Sequence, residues 1–157
     1  PEHLEFLGTP PTDPRPALIE QLVKGLETEG SIVVYNQGFE MGRLKEIAET
    51  FSEYAKAIDN ILARIIDLIE PFRSKAIYRP EMQGSSSIKK VLPAMVPGLS
   101  YSNLAISEGG MASRSYDQLF TNTNPEEAEK IRKDLLDYCG LDTYAMVQIV
   151  DVMQKLV

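Results

Sequence analysis

Tyr138 and Asp142 stand four residues apart in the stretch YCGLDTYAM, 138–146, inside a segment patterned as an amphipathic helix. Side chains at i and i+4 leave the same face of a helix, one above the other. A carboxylate so placed can ligate a hard divalent ion such as Mg2+ or Mn2+, and the phenol can hold a water for attack on a phosphodiester. The plainer alternative is a half-buried tyrosine beside a solvated aspartate. Gly140 lies between them, and a glycine inside a helix costs about 1 kcal/mol against alanine. It is therefore expected either to split the segment into two helices or to admit another backbone closely.

A second group lies in YNQGFE, 35–40. Asn36 closes a β-branched run, Gly38 permits a tight turn, and Glu40 opens a helix. The carboxyl end of a strand in an open α/β sheet is where ligands bind. A turn-forming asparagine and a first-turn acid on a helix dipole would leave the same signature. Asp67, an acid within the apolar run RIIDLIEPF, is a candidate supporting acid or a simple strand-end aspartate. In GSSSIKK, 84–90, a small-residue loop precedes a helix start, and Lys89 and Lys90 are candidate phosphate contacts. The loop lacks the Walker pattern, and a serine cap is its simpler reading.

These residues need elements to hold them. Residues 2–7 alternate like a short strand, and the proline-rich loop GTPPTDPRP follows. ALIEQLVKGLETEG reads as a helix closing at Gly30. SIVVYN, 31–36, reads as a buried, parallel strand. FEMGRLKEIAETFSEYAKAI is helical, and DNILARIIDL is a further helix whose ARIIDLI portion reads equally as a second strand. A short helix capped by serine is expected over SSIKKVLPAM and another near 111–120. From Asn124, a good cap ahead of Pro125, one long helix or a helix pair runs through the last segment. The fold class is α/β, helix-rich, with a reduced sheet around strand 31–36.

Composition narrows the chemistry. The 157 residues hold one cysteine, Cys139, and one histidine, His3, so no zinc spacing and no internal disulfide can be built. Any metal site must use carboxylates. The net charge of −7 speaks against a surface that coats nucleic acid. It leaves room for an enzyme whose bound metal supplies positive charge locally. No apolar run approaches the ~20 residues of a membrane span, and a cytoplasmic setting is expected.

Together, NQGFE and YCGLD resemble the second and third motifs of the DEDD 3′–5′ exonucleases, which have a ribonuclease H-like fold. The second motif is an asparagine, a spacer, an aromatic and an acid; in the tyrosine subclass the third is Y-x-x-x-D. More closely, GSIVVYNQGFE, GSSSIKKVLP and YCGLDTYAMV, in that order, resemble an uncharacterised bacterial family of unknown function. Its members often follow a RecB/Cas4-like nuclease domain. The resemblance implies that Glu40 and Asp142 are metal ligands, that Tyr138 orients the attacking water and that Asn36 shapes the site. It further implies two Mg2+ or Mn2+ ions, nucleic acid as the partner of the parent protein, and removal of nucleotides from a 3′ end.

Two departures bear on this. The second motif ends in glutamate rather than aspartate, one methylene longer. The Asp-x-Glu of the first motif has no counterpart ahead of SIVVYN, where only Glu2 and Glu5 precede in register. The chain, opening on Pro1, is therefore expected to be a single domain over 1–157, the C-terminal part of a larger ribonuclease H-like domain. As this fragment it should be inactive, with an incomplete two-metal site and an exposed sheet edge that invites self-association. The alternative is a non-catalytic, helix-rich interaction or scaffold module of a bacterial nucleic-acid-processing protein.

Overall fold

A computed structural model describes residues 2–9 and 11–156. They gather into two compact units. The first joins Asp13–Ile77 to the chain up to Phe6, and the second joins Tyr78 onward to the segment Leu7–Thr12.

The first unit begins with helix α1, Arg15–Gly25. Asp13 fixes its start by accepting from the Arg15 amide at 3.0 Å and from the same residue's guanidinium. The helix ends at Gly25 and not at Gly30. A Cβ on Gly25 would stand 2.9 Å from Leu4 Cδ1, the far end of a flexible and largely exposed side chain. Beyond it the backbone turns, with Glu27 at φ +50° and Gly30 at φ +84°. The Arg64 guanidinium holds that turn by donating to the carbonyls of Leu26, Glu27, Glu29 and Gly30 at 2.6–3.1 Å.

Strand β1, Ile32–Val34, follows, then helix α2, Gly38–Thr50. The expected helix through residue 58 breaks at Phe51 (φ −124°, ψ 76°); a 3-10 turn over Ser52–Tyr54 leads into α3, Ala55–Ala63. The helix-or-strand choice in ARIIDLI falls to strand β2, Ile65–Asp67. It runs parallel to β1 with Ile32 opposite Ile65 and Val34 opposite Asp67, the parallel pairing expected of SIVVYN, although β1 is half-buried and not buried. Among the described residues the sheet has these two strands only. A short helix α4, Glu70–Arg73, ends the unit. Ile19, Ile47, Ile58 and Ile61 form its core, with Ile32 and Phe51 packed against them. Residues 2–7 are not a strand: Leu4 lies against Gly25, and the Glu5 carbonyl accepts from Gln21 at 3.1 Å, so side-chain contacts with α1 replace a ladder.

In the second unit, helix α5 spans Ile88–Met95, with Pro93 two residues before its end. Ser87 occupies its cap position, but its side chain makes no capping bond, contrary to the expected serine cap. Helix α6, Gly109–Gln118, starts two residues earlier than its pattern suggested. Helix α7 is one unbroken helix, Pro125–Gln154. The Asn124 side chain caps it, accepting from the amides of Glu126 and Glu127 at 3.0 and 3.4 Å. Both α5 and α6 pack on α7. The buried stripe of α7 is Leu135, Tyr138, Ala145 and Ile149, at steps of three, seven and four residues that keep one face inward. Gly140 lies off that stripe. It neither breaks the helix nor admits a neighbour, since a Cβ there would meet nothing within 4 Å. Among the described residues, no helix is long and apolar enough to cross a membrane.

Candidate functional site: an acid and two phenols on the long helix

Asp142 falls in phase with the buried stripe of α7, seven residues beyond Leu135 and three before Ala145. Its carboxylate is therefore turned inward and partly buried, and the solvated-aspartate alternative fails. A bare carboxylate in that position would be costly, and hydrogen bonding answers the cost. Tyr101, in a 3-10 turn over Tyr101–Asn103, donates its hydroxyl to Asp142 Oδ1 at 2.5 Å. Tyr138 engages the same carboxylate from one turn earlier on α7. The two phenol rings lie 6.2 Å apart between centroids, tilted by 56°. The Lys89 ammonium, from the first turn of α5, stands 6.0 Å from the centre of the Tyr101 ring.

The electrostatics follow from this burial. Desolvation pushes the Asp142 carboxyl above its ordinary range, outweighing the two phenolic hydrogen bonds and the nearby Lys89 charge. The Tyr138 phenol is pushed up to about 12, by burial first and by the Asp142 charge second. Gly109, at the start of α6, borders the Tyr138 hydroxyl, which would be 3.9 Å from a Cβ on that glycine.

Other candidates fall elsewhere. Lys90 turns to Gln83, with Nζ 3.2 Å from its Oε1, so of the two lysines Lys89 is the one at the acid. In the first unit, Asn36 takes a left-handed conformation, φ +69°, between β1 and α2. Asp67 lies at the end of the neighbouring strand and clamps this turn. Its carboxylate accepts from the amides of Asn36 at 2.8 Å, Gln37 at 3.0 Å and Ile69 at 3.2 Å. A carboxylate on the amides that open α2 also meets the positive end of that helix. Arg73 donates to Asn36 Oδ1 at 3.4 Å. Asn36 and Asp67 are thus brought together, with Glu40 following in the first turn of α2. Tyr138, Asp142 and Lys89 form the group in the second unit.

Tyr101 is the residue that sequence reasoning missed. It is 41 positions from Asp142, in a loop after Pro97 and Gly98, and no periodicity or motif marks it.

Asp142 and Glu40 are hard oxygen donors of the kind Mg2+ and Mn2+ take. Among the described residues, however, no three of His, Cys, Asp and Glu gather closely enough to hold a metal ion.

The arrangement is that of a small, helix-rich α/β protein with a desolvated acid held by phenols. A family model described as a domain of unknown function, DUF2779, matches residues 1–87, more than half the chain. The chain belongs to that family. It is 33% identical to the uncharacterised protein UU173 of Ureaplasma parvum over 90% of its own length and 23% of the relative's. It is 30% identical to the uncharacterised protein MG366 of Mycoplasma genitalium, over 89% of this chain and 23% of that one. The MG366 homologue of Mycoplasma pneumoniae is 31% identical over 76% of this chain and 20% of its own. The chain thus spans about a fifth to a quarter of the length of the relatives it matches. No solved structure matches it.

Proposed function

We propose that this chain forms part of a ribonuclease H-like, metal-dependent 3′–5′ exonuclease domain in a longer bacterial protein. In that protein it acts on DNA or RNA, follows a RecB/Cas4-like nuclease domain and works in the cytoplasm. The observation that carries the reading is the inward-facing Tyr138–Asp142 pair. A carboxylate is kept desolvated beside a phenol and a lysine at a cost in stability, and such perturbed acids cluster at functional sites.

Each within its own unit, Asp142 and Glu40 would offer a carboxylate to Mg2+ or Mn2+, which when bound supplies charge to the scissile phosphate and acidifies water. Tyr138 stays protonated across the physiological range, donating to Asp142 and leaving its oxygen to accept from an incoming water. Lys89 offers a positive charge to a phosphate, and Lys90 is a more peripheral contact. Asp67 works indirectly, holding the turn on which Asn36 and the first turn of α2 stand. The remaining acids come from elsewhere in the longer protein, so the fragment by itself is inactive.

The test uses the full-length protein with a 3′-labelled oligonucleotide and Mn2+. Label release lost in both Asp142→Ala and Glu40→Ala is the expected result. Release indifferent to either substitution overturns the assignment.

One observation favours a second reading, a non-catalytic scaffold: the Asp142 and Asp67 carboxylates already serve hydroxyls and backbone amides. Full-length protein that binds neither metal nor oligonucleotide would support it.

A further inference from the structure

We infer that the cavity between α1 and α3 is a binding site for a small amphiphilic monoamine, an organic ammonium ion with a short aliphatic body. The cavity measures about 380 Å3, within the range of about 300–1,000 Å3 in which small-molecule sites fall. All its lining residues belong to the first unit, so it is independent of the group around Asp142 and of the nuclease reading.

The floor is apolar. Val23 of α1 packs against the isoleucine core, Ile61 belongs to that core, and Ala57, one turn before Ile61 on α3, is half-buried. Aliphatic surface laid on this floor leaves water, which drives such a ligand in. The walls are held in place without it. The Asn60 side chain of α3 donates to the Thr28 carbonyl at 3.4 Å and ties one wall to the other. Glu27 takes a left-handed conformation, φ +50°, and the Arg64 guanidinium donates to its carbonyl at 3.1 Å.

The rim is charged. Glu27, Glu53 and Lys56 border the cavity and are exposed, and among the described residues none of the three forms an ion pair. Glu53 and Lys56 stand three positions apart at the entry to α3, a spacing at which opposite charges on a helix commonly pair. Here they do not. Two carboxylates against one ammonium leave the rim with a net negative charge, the complement of a single positive head. The apolar floor beneath takes the aliphatic body.

The experiment is calorimetric titration of the full-length protein with hexylammonium chloride, set beside 1-hexanol and hexanoate at the same ionic strength. Glu27→Gln/Glu53→Gln removes the negative charge of the rim, and Ala57→Phe fills the floor. Glu49→Gln, at an exposed acid of α2 outside the cavity, is the control. Thermal melting is recorded for each. The expected result is saturable one-to-one binding of hexylammonium, about 10-fold weaker in Glu27→Gln/Glu53→Gln, where two exposed ion pairs are lost together. Binding is lost in Ala57→Phe and unchanged in Glu49→Gln, and the alcohol and the carboxylate bind more weakly than the amine.

Hexanol binding as tightly as hexylammonium, or wild-type affinity in Glu27→Gln/Glu53→Gln, overturns the assignment of an amine. Wild-type affinity in an Ala57→Phe protein that melts like wild type overturns the location. Equal weakening in Glu49→Gln marks a general attraction of cations to an acidic chain, and it overturns the site, as does the absence of saturable binding. Should Ala57→Phe melt early, Glu27→Gln/Glu53→Gln decides, because it changes exposed side chains only.

Discussion

Asp142 carries the most consequential charge in the second unit, because burial and hydrogen bonding pull it in opposite directions. Burial prevails, so the folded chain holds this proton to higher pH than the unfolded chain does. Between the ordinary carboxylate value of about 4 and the raised folded value, the folded state binds more protons, and stability falls as pH rises. Above the raised value the loss is complete and constant. Asp142→Asn removes this titration and keeps an acceptor oxygen for Tyr101. Urea unfolding across a pH series should show the variant gaining on wild type as pH rises through that window, with a plateau toward neutrality. A gap that narrows with rising pH would contradict the buried-carboxylate account. Proximity of Tyr138 and Asp142 was legible, because i and i+4 on a helix fixes it. Their inward direction was not, since it depends on the phase of the stripe against α5 and α6. Tyr101 was illegible because a loop brings it in from 41 positions away.

At the level of elements, α7 shows where a local rule and its context part. Gly140 suggested a break or a close neighbour, and neither is present. Thirty residues of helix with a capped start and a buried stripe tolerate one poor helix former. Gly140→Ala should accordingly stabilise the chain by about 1 kcal/mol, the intrinsic difference between the two residues. A higher urea midpoint with an unchanged slope would bear this out; destabilisation would mean the added methyl meets something. The shorter elements were harder to read. The β-branched run at 31–36 announced a parallel strand, whereas ARIIDLI satisfied both periods until Arg64 ended α3. The early close of α1 goes with the turn that Arg64 holds from a position distant in sequence. The alternation over 2–7 could not reveal that no strand lies beside it.

For the whole molecule, the two-stranded sheet is the exposed feature of the first unit. Parallel strands are normally buried within larger sheets, and two strands alone are marginal. Ile66 of β2 is 52% exposed, an apolar side chain on an uncovered face. The isolated chain should therefore associate with itself as its concentration rises, and Ile66→Lys should shift it toward monomer. Sedimentation velocity over a concentration series measures this. A wild-type chain that remains monomeric throughout would count against an exposed sheet as the driver. The relatives are a little over four times as long as this chain by the shares covered.

The exposed cysteine on α7 gives the site a native reporter. Cys139 is the sole thiol of the chain and follows Tyr138 directly. A fluorophore or nitroxide attached there needs no engineered handle and no removal of competing thiols. Its quenching or line broadening would register a paramagnetic ion arriving at Asp142, three positions along the same helix. The thiol is pushed up by burial around the sulfur and then by the Asp142 charge, so less of it is thiolate at neutral pH than in an ordinary cysteine. Its rate is therefore itself a gauge: a cation bound to Asp142 would offset that negative charge, favour the thiolate and quicken the reaction.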